Sequence, residues 1–92
     1  MRYAYKNSFD RAFKKLTRTE QLSVESSLNT LIDFFERKTS QPVGLGLKPI
    51  GKNYWEIRSG LKIRILFQIE KDLATFYFVG NHDQLRRFMQ EL

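Results

Sequence analysis

The run Tyr54-Trp55-Glu56-Ile57-Arg58-Ser59-Gly60-Leu61-Lys62-Ile63-Arg64-Ile65-Leu66-Phe67-Gln68-Ile69-Glu70-Lys71-Asp72-Leu73-Ala74-Thr75-Phe76-Tyr77-Phe78-Val79 decides the fold. In its middle, Leu61, Ile63, Ile65, Phe67 and Ile69 fall on one side, and Lys62, Arg64, Leu66, Gln68 and Glu70 on the other. A period of two is the pattern of a β-strand with one buried face. Tyr54–Arg58 before it and Leu73–Val79 after it read as strands of the same kind, with turns at Ser59-Gly60 and Lys71-Asp72, so the half is an antiparallel meander. To bring Trp55 and Ile57 beside Ile63 and Ile65, the first hairpin should pair residues whose numbers sum to 120, with Ile57 opposite Ile63, Arg58 opposite Lys62 and Glu56 opposite Arg64. A three-residue loop with Gly60 at positive φ gives that register. The other face then carries Tyr54, Glu56, Arg58, Lys62, Arg64 and Leu66, and is expected to be open. A slip of one residue would exchange the two faces.

Upstream, Arg2–Lys6 reads as a short strand with Tyr3 and Tyr5 on one side. Ser8 is placed to cap a helix in which Phe9, Phe13 and Leu16 recur at helical spacing. A longer helix starts at Thr17 or Thr19 and buries Val24, Leu28, Leu31, Ile32 and Phe35. The short gap between them implies an antiparallel helical hairpin. Gln41–Gly46, with Pro42, Gly44 and Gly46, ends the helical half. Downstream, Leu85, Phe88, Met89 and Leu92 make Asp83–Leu92 a short amphipathic helix. The order is βααβββα: an α+β fold, one domain over residues 1–92, its antiparallel sheet covered on one face by the helical hairpin and the C-terminal helix.

Composition narrows the function. The chain has no cysteine and one histidine, which excludes a thiol nucleophile, a Cys-ligated metal and a multi-His site; no cofactor is expected. No stretch is apolar enough to cross a bilayer, and the first residues lack the apolar region of a signal peptide, so a cytoplasmic location is expected. The net charge is +6, and residues 1–46 and 47–92 each carry eight basic and five acidic side chains. The excess is spread over the folded unit and favours a polyanionic partner, nucleic acid before an acidic protein.

Candidate chemistry lies on the open face and at the end of the last strand. Arg58 and Arg64 flank one hairpin and could grip phosphate with their planar forks; a plain ion pair of Arg64 with Glu56 is the competing reading. Glu56 could act as general base or serve only as that partner. His82, in Val79-Gly80-Asn81-His82-Asp83, is the one side chain of a type that changes charge near neutral pH, although a lone histidine there also reads as a surface turn. Asn81 and Asp83 read as helix caps. Lys48 and Lys52 sit in a loop beside the face, Lys62 on it, and Arg86 and Arg87 on the outer side of the last helix, all suited to RNA phosphates. Phe88 could stack on a base, though its place in the apolar stripe favours core packing. No Walker loop, zinc spacing or Ser/His/Asp motif is present. Arg, Lys, His and Glu together suit metal-free RNA cleavage, in which the 2′ hydroxyl attacks the neighbouring phosphorus.

As an ordered set, Trp55-x-Ile57-Arg58, then Arg64-Ile65-Leu66-Phe67, then Val79-Gly80-x-His82-Asp83 after a helical hairpin resembles the RelE/ParE superfamily of bacterial toxins over nearly the whole chain. The resemblance implies a type II toxin held inactive by a cognate antitoxin in a hetero-oligomer, with the ribosome and mRNA as targets of a RelE-like endoribonuclease. It implies transition-state stabilisation by Arg64, an acid or phosphate-binding role for His82 and a basic position at Arg58. Phe88 falls near a place often held by a functional tyrosine, so stacking alone remains for it. Glu56 matches no family carboxylate. The alternatives are a ParE-like poison of DNA gyrase and a non-catalytic nucleic-acid-binding domain.

Overall fold

The computed structural model describes residues 1–40 and 44–92. Gln41, Pro42 and Val43, on which part of the expected helix-ending loop falls, lie outside the described residues. The elements are β1 (Arg2–Tyr5), α1 (Asn7–Lys14), α2 (Arg18–Phe35), β2 (Lys48–Gly51), β3 (Tyr54–Ser59), β4 (Ile63–Glu70), β5 (Leu73–Asn81) and α3 (His82–Gln90). The strands form one sheet in the order β1-β5-β4-β3-β2.

The expected α+β class holds, with three differences of detail. Lys48–Gly51, read as loop, is a fifth strand pairing antiparallel with β3. It escapes a pattern reading because Pro49 and Gly51 are poor strand formers, tolerated here on an edge with one neighbour. β1 runs parallel to β5, so the sheet is mostly rather than wholly antiparallel. The β3–β4 hairpin pairs residues summing to 122: Ile57 faces Ile65, Arg58 faces Arg64, Glu56 faces Leu66 and Ser59 faces Ile63. An even shift preserves the faces while changing every cross-strand neighbour. The loop is Gly60-Leu61-Lys62, with Gly60 at φ 69 as its turn requires. Leu61, expected to be buried, is therefore 94% exposed at the tip, and Lys62 leaves the sheet face for the loop.

The helices form as their sequences dictate, with local changes. Thr17 caps α2 in a capping box with Glu20, satisfying backbone N–H groups that a helix start leaves unpaired. Ser8 lies inside α1 and does not cap it; its hydroxyl donates to the Tyr77 carbonyl at 2.6 Å, and Lys6 is the cap position. α3 starts one residue earlier than expected, capped by Asn81 with Gln84, and Leu92 lies beyond its end, exposed.

The core lies between the hairpin α1–α2 and one sheet face. Val24, Leu31, Ile57, Ile65, Phe67 and Phe76 are fully buried there, joined by Phe9, Leu28, Leu45 and Val79. Truncating such an aromatic to alanine costs about 3–5 kcal/mol, a large share of a small domain's stability. α1 and α2 share this face. α3 instead packs against the ends of β5 and β4, and Phe88 stacks on Phe78 at 4.7 Å. Phe78 stands opposite Leu66, on the other side of the sheet from Ile65 and Phe67. Leu66 and Leu85 are buried outside the main cluster, so the face expected to be open is partly covered at that end.

β1 is tied down at its start by two side-chain contacts. Arg2 donates to the Asp72 carboxylate at 2.9 Å, and the Tyr3 hydroxyl donates to Glu36 at 2.9 Å. Burial first, and then the Glu36 carboxylate, push the Tyr3 phenol up to about 12. A folded-state value raised above the unfolded value of about 10 means stability that is complete below pH ~10 and lost as pH rises towards 12. Tyr3→Phe should therefore flatten the fall in urea midpoint between those pH values, followed by circular dichroism; an unchanged slope would contradict the assignment.

Candidate functional site

On the face away from α1 and α2, cross-strand neighbours define three rows. The first holds Tyr54 and Gln68, with Thr75 beyond; the second holds Lys48, Glu56, Leu66 and Phe78; the third holds Arg58, Arg64 and Gly80. The third row sets two arginines directly opposite each other, an arrangement that is destabilising unless something compensates it.

Glu56 provides part of that compensation. It is 3% exposed, and its Oε2 lies 3.6 Å from Arg64 Nε and 3.7 Å from Lys48 Nζ. The expected pairing of Glu56 with Arg64 thus forms, diagonally between rows rather than across one. Neither Glu56 Oε2 nor Arg64 Nη1 makes a hydrogen bond, although both atoms are buried. Unsatisfied buried polar atoms are uncommon and call for an explanation. At this burial the carboxylate is a partner for the cations and does not front on solvent.

Arg58 is exposed and is held by the segment before β2. Its N–H donates to the Leu45 carbonyl at 2.6 Å. Its aliphatic stem lies over Gly46, where an added Cβ would come within 3.1 Å of Arg58 Cδ. Gly46 is a site-shaping residue that pattern reading missed; a glycine just before a cation-rich strand was the only signal. His82 is the first residue of α3, two positions after Gly80, the partner of Arg64. Its side chain is 60% exposed and its Nδ1 lies 3.7 Å from Asp83 Oδ1.

The remaining cations are dispersed. Lys52 sits exposed in the β2–β3 turn beside Tyr54. Arg86 and Arg87 line a shallow depression of about 360 Å³ with Asn81, Asp83 and Gln90. Lys62 lies at the rim of a cleft of about 520 Å³ between α1 and α3, floored by Ala12, Phe78 and Phe88. That cleft contains none of Arg58, Arg64 and His82. Phe88 has one ring face occupied by Phe78, 15° from parallel. Among the described residues no group of three His, Cys, Asp or Glu side chains could hold a metal. No helix there is long and apolar enough to cross a membrane.

Gly80 decides how α3 leaves the sheet. A Cβ at this position would stand 2.6 Å from Gln84 Oε1 and 2.9 Å from Phe78 Cε2. Gln84 belongs to the Asn81 capping box, so the clash would fall on the cap that sets the direction of His82.

Neither a family model nor a curated protein sequence matches the chain. Solved structures do. A chain of the E. coli DinJ–YafQ complex is 16% identical with a TM-score of 0.72, covering 92% of this chain and 98% of that one. A chain of the RelB–RelE antitoxin–toxin complex from Methanococcus jannaschii is 16% identical with a TM-score of 0.69, covering 92% and 96%. A YoeB/ParE toxin from Agrobacterium tumefaciens is 22% identical with a TM-score of 0.64, covering 89% and 99%. The chain has the fold of the RelE- and ParE-type toxins.

Gly80→Ala is expected to destabilise the protein by about 1–3 kcal/mol through overpacking, measured by urea unfolding. A neutral effect would show that the α3 junction has room to spare.

Proposed function

We propose that this protein is the toxin of a type II toxin–antitoxin system, a RelE-like endoribonuclease that cuts mRNA on the ribosome in the cytoplasm. The observation that carries this reading is the Arg58–Arg64 pair beside Lys48: three cations on adjoining rows against the single buried carboxylate of Glu56. Such a site costs stability when empty and gains a partner when a phosphate arrives. The resemblance in fold to toxins solved in complex with RelB and DinJ supports the same reading.

In the reaction, the 2′ oxygen attacks the adjacent phosphorus, and the bond to the 5′ oxygen breaks. Arg64, whose side chain keeps some exposure beside Arg58, stabilises charge gathering on the phosphoryl oxygens, and Arg58 holds the neighbouring phosphate. Glu56 orients Arg64 through Nε and does not touch substrate. His82 protonates the departing 5′ oxygen. The 2′ proton passes to Lys52 acting from its neutral amine form, because Lys48 is held as a cation beside Glu56 and has no lone pair to offer. A cognate antitoxin neutralises the protein by covering the same cationic face with acidic side chains.

Primer extension on a reporter mRNA after induction tests the reading: discrete cuts with arrest of translation support it. Arrest of replication without RNA cleavage would favour the gyrase alternative instead. Arg64→Lys keeps the charge beside Glu56 but loses the fork, and should lower cleavage by about 10²-fold with the fold intact. Arg64→Ala should lose at least as much activity, and also stability, because Glu56 is left short of a partner. Wild-type cutting by folded Arg64 variants would overturn the assignment.

His82→Gln should slow single-turnover cleavage by about 10²–10⁴-fold, the usual worth of general acid–base catalysis. A substrate with a 5′-bridging phosphorothiolate, whose leaving group needs no proton, should recover most of that loss. Equal loss with both leaving groups would make His82 a structural turn residue.

A further inference from the structure

Phe76-Tyr77-Phe78 is three aromatic residues in succession on β5, which simple alternation would split between the faces. The structure resolves them with a bulge. Phe67 pairs with Phe76 and Leu66 with Phe78, so Tyr77 is the extra residue. Phe76 enters the core, while Tyr77 and Phe78 both turn to the cationic face. Bulges re-aim side chains in this way and are frequent beside functional sites.

Tyr77 is thereby brought against Tyr54, with ring centroids 5.4 Å apart in an edge-to-face contact. Its hydroxyl donates to Gln68, the residue opposite Tyr54, at 3.1 Å. Both tyrosines are partly exposed. Lys6 Nζ stands 5.6 Å from the Tyr77 ring centre, and Lys52 flanks Tyr54. Partly exposed aromatic rings, bordered by lysines and two rows along the sheet from the paired arginines, have the composition of a single-strand nucleic-acid groove. Four residues along β3 separate Tyr54 from Arg58, or about 13 Å at roughly 3.3 Å per residue.

We propose that Tyr54 and Tyr77 form a base-stacking platform that receives one unpaired base of the bound RNA, a short distance along the strand from the phosphate held by Arg58 and Arg64. The inference rests on the reading of the protein as an RNA-cutting enzyme, and adds where the strand runs: along β3, from the arginine row towards the β2–β3 turn. Lys6 and Lys52 then meet the phosphates on either side of the stacked base.

A double-mutant cycle between protein and RNA tests it. Single-turnover cleavage at sub-saturating protein is measured on ribosome-bound mRNA carrying one abasic nucleotide at successive positions near the cut. At one position the abasic substitution should slow the wild type by about five- to a hundred-and-fifty-fold, the worth of one base stacked on an aromatic ring. Tyr54→Ala should slow cleavage of intact mRNA by the same factor, and the abasic site should cost that variant nothing more. Tyr54→Phe should restore the wild-type pattern. A purely structural tyrosine would leave the abasic penalty unchanged at every position, and that result would overturn the platform while leaving the nuclease reading in place. No cleavage of any mRNA by the wild type would bring both down. Tyr77→Ala repeats the cycle where it folds; Tyr54→Ala suffices alone, since Tyr54 lies outside the bulge.

Discussion

A single buried carboxylate governs how this sheet face can exist. Lys48, Arg58 and Arg64 stand on two adjoining rows, with Arg58 directly opposite Arg64. Glu56 is held within ion-pair distance of two of them. Taking a charge out of water costs several kcal/mol unless partners surround it, so Glu56 is tolerable only because the cations flank it. The cations in turn remain together because Glu56 cancels part of their repulsion. One negative charge against three positive ones leaves a local excess, and buried atoms on both Glu56 and Arg64 lack hydrogen bonds. The cluster is incomplete by itself, with an excess of positive charge that an anion such as the proposed RNA phosphate would offset.

β4 is the strand through which this arrangement reaches the rest of the molecule. Ile63, Ile65 and Phe67 bind it to the helical hairpin on one side; Arg64, Leu66 and Gln68 present the three rows on the other. Its pairing with β3 sets the arginines opposite each other, and the bulge in its pairing with β5 turns Tyr77 outwards beside Tyr54. Leu66 marks where the second face stops being open, because Phe78 beside it carries the stacked Phe88 of α3. Along the strands the tyrosine pair comes first, the row of Glu56, Leu66 and Phe78 next, and the paired arginines last, followed by His82.

Much of this was legible in the residues. Period-two alternation over Ile63–Glu70 gives the strand and its faces, and Thr17 with Glu20 gives the start of α2. Alternation identifies a face but not a partner, because shifting a pairing by two residues leaves both faces unchanged. Hence Arg58 and Arg64 were placed on the correct face with the wrong opposites. The hairpin settles on a pairing with a loop of equal length, which sends Leu61 into solvent and lets the buried Ser59 meet Ser23 at 2.8 Å, a contact between elements that no local pattern encodes. Burial of Glu56 was equally hidden, since a lone glutamate in an alternating strand reads as solvent-facing. Its surroundings come from β2, a strand that Pro49 and Gly51 disguise as loop. The bulge at Phe76–Phe78 was hidden as well, because Phe76 and Phe78 inward with Tyr77 outward would satisfy plain alternation.

The opposition of Arg58 and Arg64 also explains why the other face is so largely apolar. Like charges across a strand pair, a half-satisfied buried ion pair and a bulge each weaken the sheet locally. A domain of this size has few kcal/mol to spare. The offset must come from the helix-covered side, where Ile57, Ile65, Phe67 and Phe76 are wholly buried against Val24 and Leu31. Because β3, β4 and β5 carry both faces, each apolar side chain that fixes a strand in the core also fixes the cation or tyrosine next to it in sequence. Ile57 sets Arg58, Ile65 sets Arg64, and Phe76 sets Tyr77. The rigidity that holds the cations at close quarters is thus supplied by their immediate neighbours in the chain, and the strain of the cationic face is borne by the same strands that build the core.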